Sequence, residues 1–167
     1  SARRNALLLV ILHKNPVSCP GLGSVPHSLP MSSSEWARSA VSAFDRVVNT
    51  EGGYRARSGQ QLMVQKVAET FAAAQLGKVE EGEEPQRAIA VIQAGTGVGK
   101  SLAYAVPAIA MALERGTRVL ISTATVALQE QLVNKDLPAL AQKMDQPFKY
   151  ALAKGRGRYV CKLKLER

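Results

Sequence analysis

The run Ala88-Ile89-Ala90-Val91-Ile92-Gln93-Ala94-Gly95-Thr96-Gly97-Val98-Gly99-Lys100-Ser101 constrains this chain more than any other. An apolar segment leads into a glycine-rich turn. Lys-Ser then opens a long stretch with apolar residues at helical spacing. This strand, loop and helix order is that of a phosphate-binding loop. A polyphosphate must be wrapped by backbone N–H groups, so bulky side chains are excluded where the chain comes closest. Gly95, Gly97 and Gly99 meet that need. The helix then points its positive end at the anion. On this reading Ala94, Gly95, Thr96, Gly97, Val98 and Gly99 surround the phosphates of ATP. Lys100 reaches the β- and γ-phosphates, and the Ser101 hydroxyl ligates Mg²⁺. Ala94 stands where the common pattern has its first glycine. The structural alternative is a turn that only joins a strand to a helix.

The flanking pattern predicts an α/β fold with a mostly parallel sheet. Arg87 to Gln93 reads as a strand apolar on both faces, hence central. Lys100 to about Arg115 reads as a helix with a stripe of Leu102, Val106, Ile109 and Leu113, kinked at Pro107 and ended by Gly116. Thr117 to Ser122 reads as a second buried strand, giving a right-handed strand–helix–strand unit. Thr123-Ala124-Thr125 then lies at a carboxyl end of the sheet, where ligands of open α/β sheets bind. Helices are expected from about Val126 to Asn134 and near Pro138 to Lys143, and a third strand within Phe148 to Leu152.

Upstream, Ser32-x-x-Glu35 fits a capping box before Trp36, Ala40, Val41, Phe44, Val47 and Val48. One helix is expected there, within 31–53. A second should run from Gln60 to about Leu76 with Gly77 as its C′ residue. Residues 1–30 differ: Arg3 and Arg4 precede a short apolar run, and Pro16, Pro20, Pro26 and Pro30 follow. A secretory signal and a disordered leader compete for this stretch. The missing small-x-small site favours the leader, with Met31-Ser32-Ser33-Ser34-Glu35 as a natural start.

The chain has 167 residues, a formal charge of +9 and only two cysteines, Cys19 and Cys161, so no disulfide framework is indicated. No apolar run approaches the ~18 residues of a membrane span. Lys149 to Arg167 carries seven basic residues against one acid, interleaved with Tyr150 and Tyr159. Such a segment suits phosphate contact beside base stacking, or is a solvated surface.

Four stretches fall in the order of one family. Arg57-Ser58-Gly59-Gln60-Gln61-Leu62-Met63 resembles the element preceding the phosphate loop in XPD-like superfamily 2 helicases of the DinG type. Gln93 to Ser101 resembles their motif I. Ile121 to Leu132 is similar to motif Ia. Lys154-Gly155-Arg156-Gly157-Arg158-Tyr159-Val160-Cys161 resembles the segment carrying their first iron–sulfur cysteine. The resemblance implies a partial RecA-like domain over 54–153, followed by the start of an iron–sulfur segment at 154–167. It implies ATP, Mg²⁺ and a [4Fe–4S] cluster as cofactors. Single-stranded DNA and DNA junctions are the implied partners, in a cytoplasmic and monomeric 5′–3′ helicase of DNA repair. Gln60 would meet the adenine edge, with Arg57 and Met63 in support. Thr123 and Thr125 would hold strand phosphates, Lys154, Arg156 and Arg158 would flank the strand, and Cys161 would ligate the cluster.

There are departures. Gln93 stands where the family usually has an acid. The Asp-Glu-Ala-His box, a second RecA-like domain and three cluster cysteines do not occur in the sequence. The expectation is therefore an N-terminal piece of a longer helicase, with weak ATP binding at best, no cluster and no unwinding. A different P-loop NTPase and a nucleic-acid-binding module without turnover are the competing readings.

Overall fold

The capping box forms as its spacing requires. The computed structural model describes residues 9–10, 13–14, 32–49, 56–74, 84, 86–154 and 159. Within it, the Ser32 backbone N–H and hydroxyl both donate to Glu35 Oε2 at 2.7 Å, and the Glu35 N–H donates back to Ser32 Oγ at 3.3 Å. Helix α1 (Ser33–Asn49) follows, burying Ala40, Ala43, Phe44, Val47 and Val48. That is one helical stripe, as the 3.6-residue period demands. Hydrogen bonds from Ser32 hold the Glu35 carboxyl below its ordinary range, and Arg38 adds a smaller pull.

Helix α2 (Ser58–Ala73) begins two residues earlier than expected and stops sooner. Ala74 is already extended, so the helix ends before Leu76, and Gly77 lies outside the described residues. Helix α3 (Lys100–Arg115) has the predicted bounds. Gly116 closes it with φ 62° and ψ 27°, and the N–H groups of Gly116 and Thr117 both bond the Ala112 carbonyl. This left-handed cap is one that glycine adopts without steric cost.

The three helices pack on one another around Phe44, Val64, Val106, Ile109 and Met111, each at most 1% exposed. Alanines line the contacts: Ala40, Ala43, Ala68, Ala72, Ala103, Ala105 and Ala112 are all buried. Their small side chains let the backbones approach closely. The α3 residues Ala105 to Leu113 are buried on every side, more than the predicted stripe. Arg115 fastens the trio. Its guanidinium carbon lies 4.7 Å from the Trp36 ring centroid, and it donates to the carbonyls of Ala72 and Ala74 at the end of α2. Burial pulls its pKa down, while the Glu114 carboxylate opposes the shift.

Beyond α3, helix α4 (Val126–Gln131), a π turn (Leu132–Asp136) and helix α5 (Leu137–Lys143) form one continuous path. The two separate helices expected here are joined. Pro138 stands just after the π turn inside this path, and, lacking an N–H, it cannot donate to the ladder there. Leu132, Leu137 and Leu140 add to the core.

The sheet departs most from expectation. Among the described residues neither Arg87–Gln93 nor Thr117–Ser122 has a ladder partner. The strands present are two-residue pairs in antiparallel register. Strand β1 (Leu9–Val10) pairs with β4 (Leu152–Ala153), and β2 (His13–Lys14) pairs with β3 (Phe148–Lys149). The predicted parallel sheet is thus not formed among them. The Arg87–Gln93 segment, central on its apolar pattern, is open on one side: Ile89 is 87% and Val91 95% exposed. Ala90 and Ile92 instead face a groove shared with Val119, Ile121 and the side chains of α2. A strand is completed by hydrogen bonds from neighbours, and an apolar sequence cannot specify which segments those are. Leu9–Val10 and His13–Lys14 fall in the stretch expected to be a disordered leader, and their backbones are paired there. The rest of 1–30 lies outside the described residues.

Candidate phosphate-binding site

Two glycines turn the loop. Gly97 has φ 77°, and Gly99, the residue capping α3, has φ 84° and ψ 34°. Side chains rarely adopt this left-handed region, so the spacing read from the sequence is a backbone requirement at these two positions. Gly99 offers no side chain to the helix start. The first intrahelical bond runs from Ala103 N–H to Gly99 O. The N–H groups of Lys100, Ser101 and Leu102 therefore meet no acceptor among the described residues. Open donors at the positive end of a 16-residue helix suit an anion.

The loop stands away from the core, with Gly95, Thr96 and Gly97 exposed and Ala94 and Val98 partly covered. Lys100 folds back over it. Its Nζ donates to the carbonyls of Ala94 at 3.0 Å and Gly95 at 2.5 Å. The ammonium is thus held at the loop, and an arriving phosphate would exchange these carbonyls for stronger, charge-assisted partners. Ser101 is partly buried beside Tyr104. Burial raises the Tyr104 pKa, the Ser101 hydroxyl opposes that shift, and the Asp136 carboxylate adds to it.

The start of α2 braces the loop from below. Arg57 Nη1 donates to Gly97 O at 2.7 Å, and Gln60 Nε2 donates to Gly99 O at 3.1 Å. Gln60 is fully buried, so a contact with an adenine edge requires its side chain to leave this position. Met63 is buried in the core below.

Thr125 caps α4, its hydroxyl accepting from Leu128 N–H at 3.2 Å. Its own O–H remains able to donate. Thr123 donates its hydroxyl to the Thr125 carbonyl at 3.3 Å, so its only proton is already used. Lys154 is exposed, and its N–H donates to the Tyr159 hydroxyl at 2.7 Å. Arg156, Arg158 and Cys161 lie outside the described residues.

The donor set fits the phosphates of a magnesium nucleotide: open amides at a helix start, one ammonium and one hydroxyl. It does not fit an iron–sulfur cluster. Such a cluster takes four thiolates, and the sequence has two cysteines. Among the described residues no group of three potential ligands could hold a metal ion.

Residues 72–156, which include the loop, α3 and the Thr123–Thr125 turn, match the DEAD/DEAH box helicase family. The chain belongs to that family. Membership implies a RecA-like P-loop fold. Among curated relatives, the chain is 48% identical over 111 residues to an ATP-dependent DNA helicase DinG of Photobacterium profundum, covering 65% of this chain and 16% of that one. It is 48% identical over 114 residues to an ATP-dependent helicase DinG of Mycobacterium tuberculosis, covering 66% and 15%. The ATP-dependent DNA helicase DinG of Escherichia coli is 45% identical over 105 residues, covering 63% and 13%. The chain thus spans less than a fifth of the length of these relatives. No solved structure matches it significantly. No helix among the described residues of this DEAD/DEAH box helicase segment is long and apolar enough to cross a membrane.

The sequence reading missed two residues. Arg115 carried no signal, because a cation in a last helical turn is ordinary. Gln129 did carry one: it is a polar residue at helical spacing between Val126 and Val133, and it is 2% exposed.

Proposed function

We propose that this chain is the nucleotide-gripping segment of an ATP-dependent 5′–3′ DNA helicase, acting on single strands and junctions in DNA repair. One observation carries the reading. The left-handed Gly97–Gly99 turn delivers Lys100 and Ser101 to the open start of α3 while Lys100 waits on the loop carbonyls. Phosphates would lie against the amides of Gly95 to Ser101. Lys100 would move from Ala94 and Gly95 to the β- and γ-phosphates, and Ser101 would face Mg²⁺. The protein's contribution to phosphoryl transfer is mainly this positioning and charge stabilisation. Arg57 and Gln60 hold the carbonyls of Gly97 and Gly99, so the brace preserves the loop's shape while Lys100 changes partners. The Thr125 hydroxyl and Lys154 would contact strand phosphates, which position a strand without reading its sequence. Arg156 and Arg158 extend the same basic segment. Cys161 would be one thiolate of a cluster whose other ligands this sequence does not contain, and no step is routed through it.

Calorimetric titration of the chain with Mg-ATP tests the reading. Wild type should bind, and Lys100→Ala should lose binding while its far-ultraviolet circular dichroism stays unchanged. Equal affinity in the two proteins would remove Lys100 from the phosphate site and sink the assignment.

A further inference from the structure

A cavity of about 200 Å³ lies between the helical path after Thr125 and strand β4. Val126, Gln129, Glu130, Val133 and Asn134 form the helical wall, and Leu152 and Lys154 face them. Gln129 is the unusual member. It is 2% exposed, it lines the cavity, and no described residue hydrogen-bonds its amide. A primary amide carries two N–H donors and an acceptor oxygen, and native interiors seldom leave such groups unpaired. Something that belongs in this cavity should meet it.

The lining restricts what that is. Val126, Val133 and Leu152 supply apolar walls, so the occupant has apolar faces. Gln129 and Asn134 supply amides that pair with a heteroaromatic edge. The Glu130 carboxylate disfavours a phosphate inside and accepts from an exocyclic amino group. Lys154, exposed at the rim, suits a flanking phosphate.

The geometry points to a nucleobase pocket that takes one amino-bearing base, adenine or cytosine, turned out of the single strand as it passes Thr125. This rests on the proposed single-strand function and deepens it: phosphate contacts hold the strand, and the pocket adds a preference among bases. Val126, the residue after Thr125, lines the cavity, and Lys154 closes its other side, so both proposed phosphate contacts border the pocket in the chain.

Fluorescence anisotropy of the full chain with equal-length oligo(dA), oligo(dC) and oligo(dT) at one salt concentration tests the inference. Thymine has no exocyclic amino group. At least one of the amino-bearing strands should bind about five- to tenfold more tightly than oligo(dT), the scale of one good base contact. Gln129→Leu should lower that strand to the oligo(dT) level, leaving oligo(dT) affinity and the salt dependence unchanged, because no phosphate contact is lost. Asn134→Leu, at an exposed position that does not endanger folding, should reduce the preference in part. Equal binding of all three strands by wild type, or tightest binding of oligo(dT), would overturn the pocket and leave the DNA reading standing. An unaltered preference in folded Gln129→Leu would overturn it too. Should Gln129→Leu not fold, an unaltered preference in Asn134→Leu does the same. Binding of no strand at all would defeat both the pocket and the DNA reading.

Discussion

Ile109 and Ile89 are the same residue in opposite circumstances. Ile109 in α3 is fully buried, whereas Ile89, ahead of the phosphate loop, is 87% exposed. Val106 and Val91 repeat the contrast, at 0% and 95%. Both segments are strongly apolar in sequence. They differ in what each backbone needs before its side chains can be covered. A helix closes its own hydrogen bonds and needs only a neighbouring face, which α1 and α2 supply. An extended segment must find partners on its edges and a layer on each side. The layer of α2 and α3 covers Ile121 and partly covers Val119, while the opposite side carries Ile89 and Val91. Apolar character therefore states that a segment seeks cover, and its neighbours determine whether it has any.

The largest test of this contrast compares truncations. Ile109→Ala should cost about 2–5 kcal/mol in urea unfolding, as loss of a buried aliphatic side chain usually does. Val91→Ala should stay within about 0.5 kcal/mol, as exposed substitutions do. A Val91→Ala cost equal to that of Ile109→Ala would break the comparison.

A middle-sized effect addresses how the helical side holds together. Arg115 both caps the end of α2 and covers Trp36, so Arg115→Met should cost about 2 kcal/mol from the lost cation–π contact and carbonyl bonds. Arg115→Lys should recover only part of it, since an ammonium cannot reach two carbonyls and lie flat on a ring at once. Full recovery by lysine, measured by thermal unfolding, would reduce the residue to a point charge.

The smallest effect sits at the entrance of α1. Ser32→Ala should cost about 1 kcal/mol through the lost cap. The Glu35 half of the box also carries a pH signature. Its folded pKa is depressed, chiefly by the Ser32 backbone N–H and then its hydroxyl. Its contribution is therefore fully present above the unfolded carboxylate pKa and is lost as pH falls through the lower folded value. Glu35→Gln should remove that acid-side slope, and acid unfolding curves of unchanged slope would show that the carboxylate does not cap.

Much of this was legible in local pattern. Ser32 and Glu35 at three-residue spacing announce the cap, Gly116 announces the end of α3, and the glycines before Lys100 announce a loop free of bulky side chains. Each depends on interactions within about five residues, so the order of residues contains the information. The end of α2 was misplaced because Gln75 and Leu76 continue a helical pattern, whereas the chain turns extended at Ala74 where Arg115 takes the Ala72 and Ala74 carbonyls. In the candidate site, Lys100 and Ser101 were evident. The inward turn of Gln60, the spent proton of Thr123 and the Gln129 amide, which meets no partner among the described residues, depend on distant neighbours or on a cavity that no spacing records.

The sequence alone determined the bounds of α3, the caps at Ser32 and Gly116, and the turn that brings an ammonium and open amides to one helix start. These follow from short-range sterics and from hydrogen bonds that each segment closes for itself. Tertiary structure alone decided which apolar segments are covered, where Gln60 and Arg57 take hold of the loop, and that Gln129 lines a cavity. Those outcomes depend on which surfaces meet across dozens of residues, where sequence order imposes no distance.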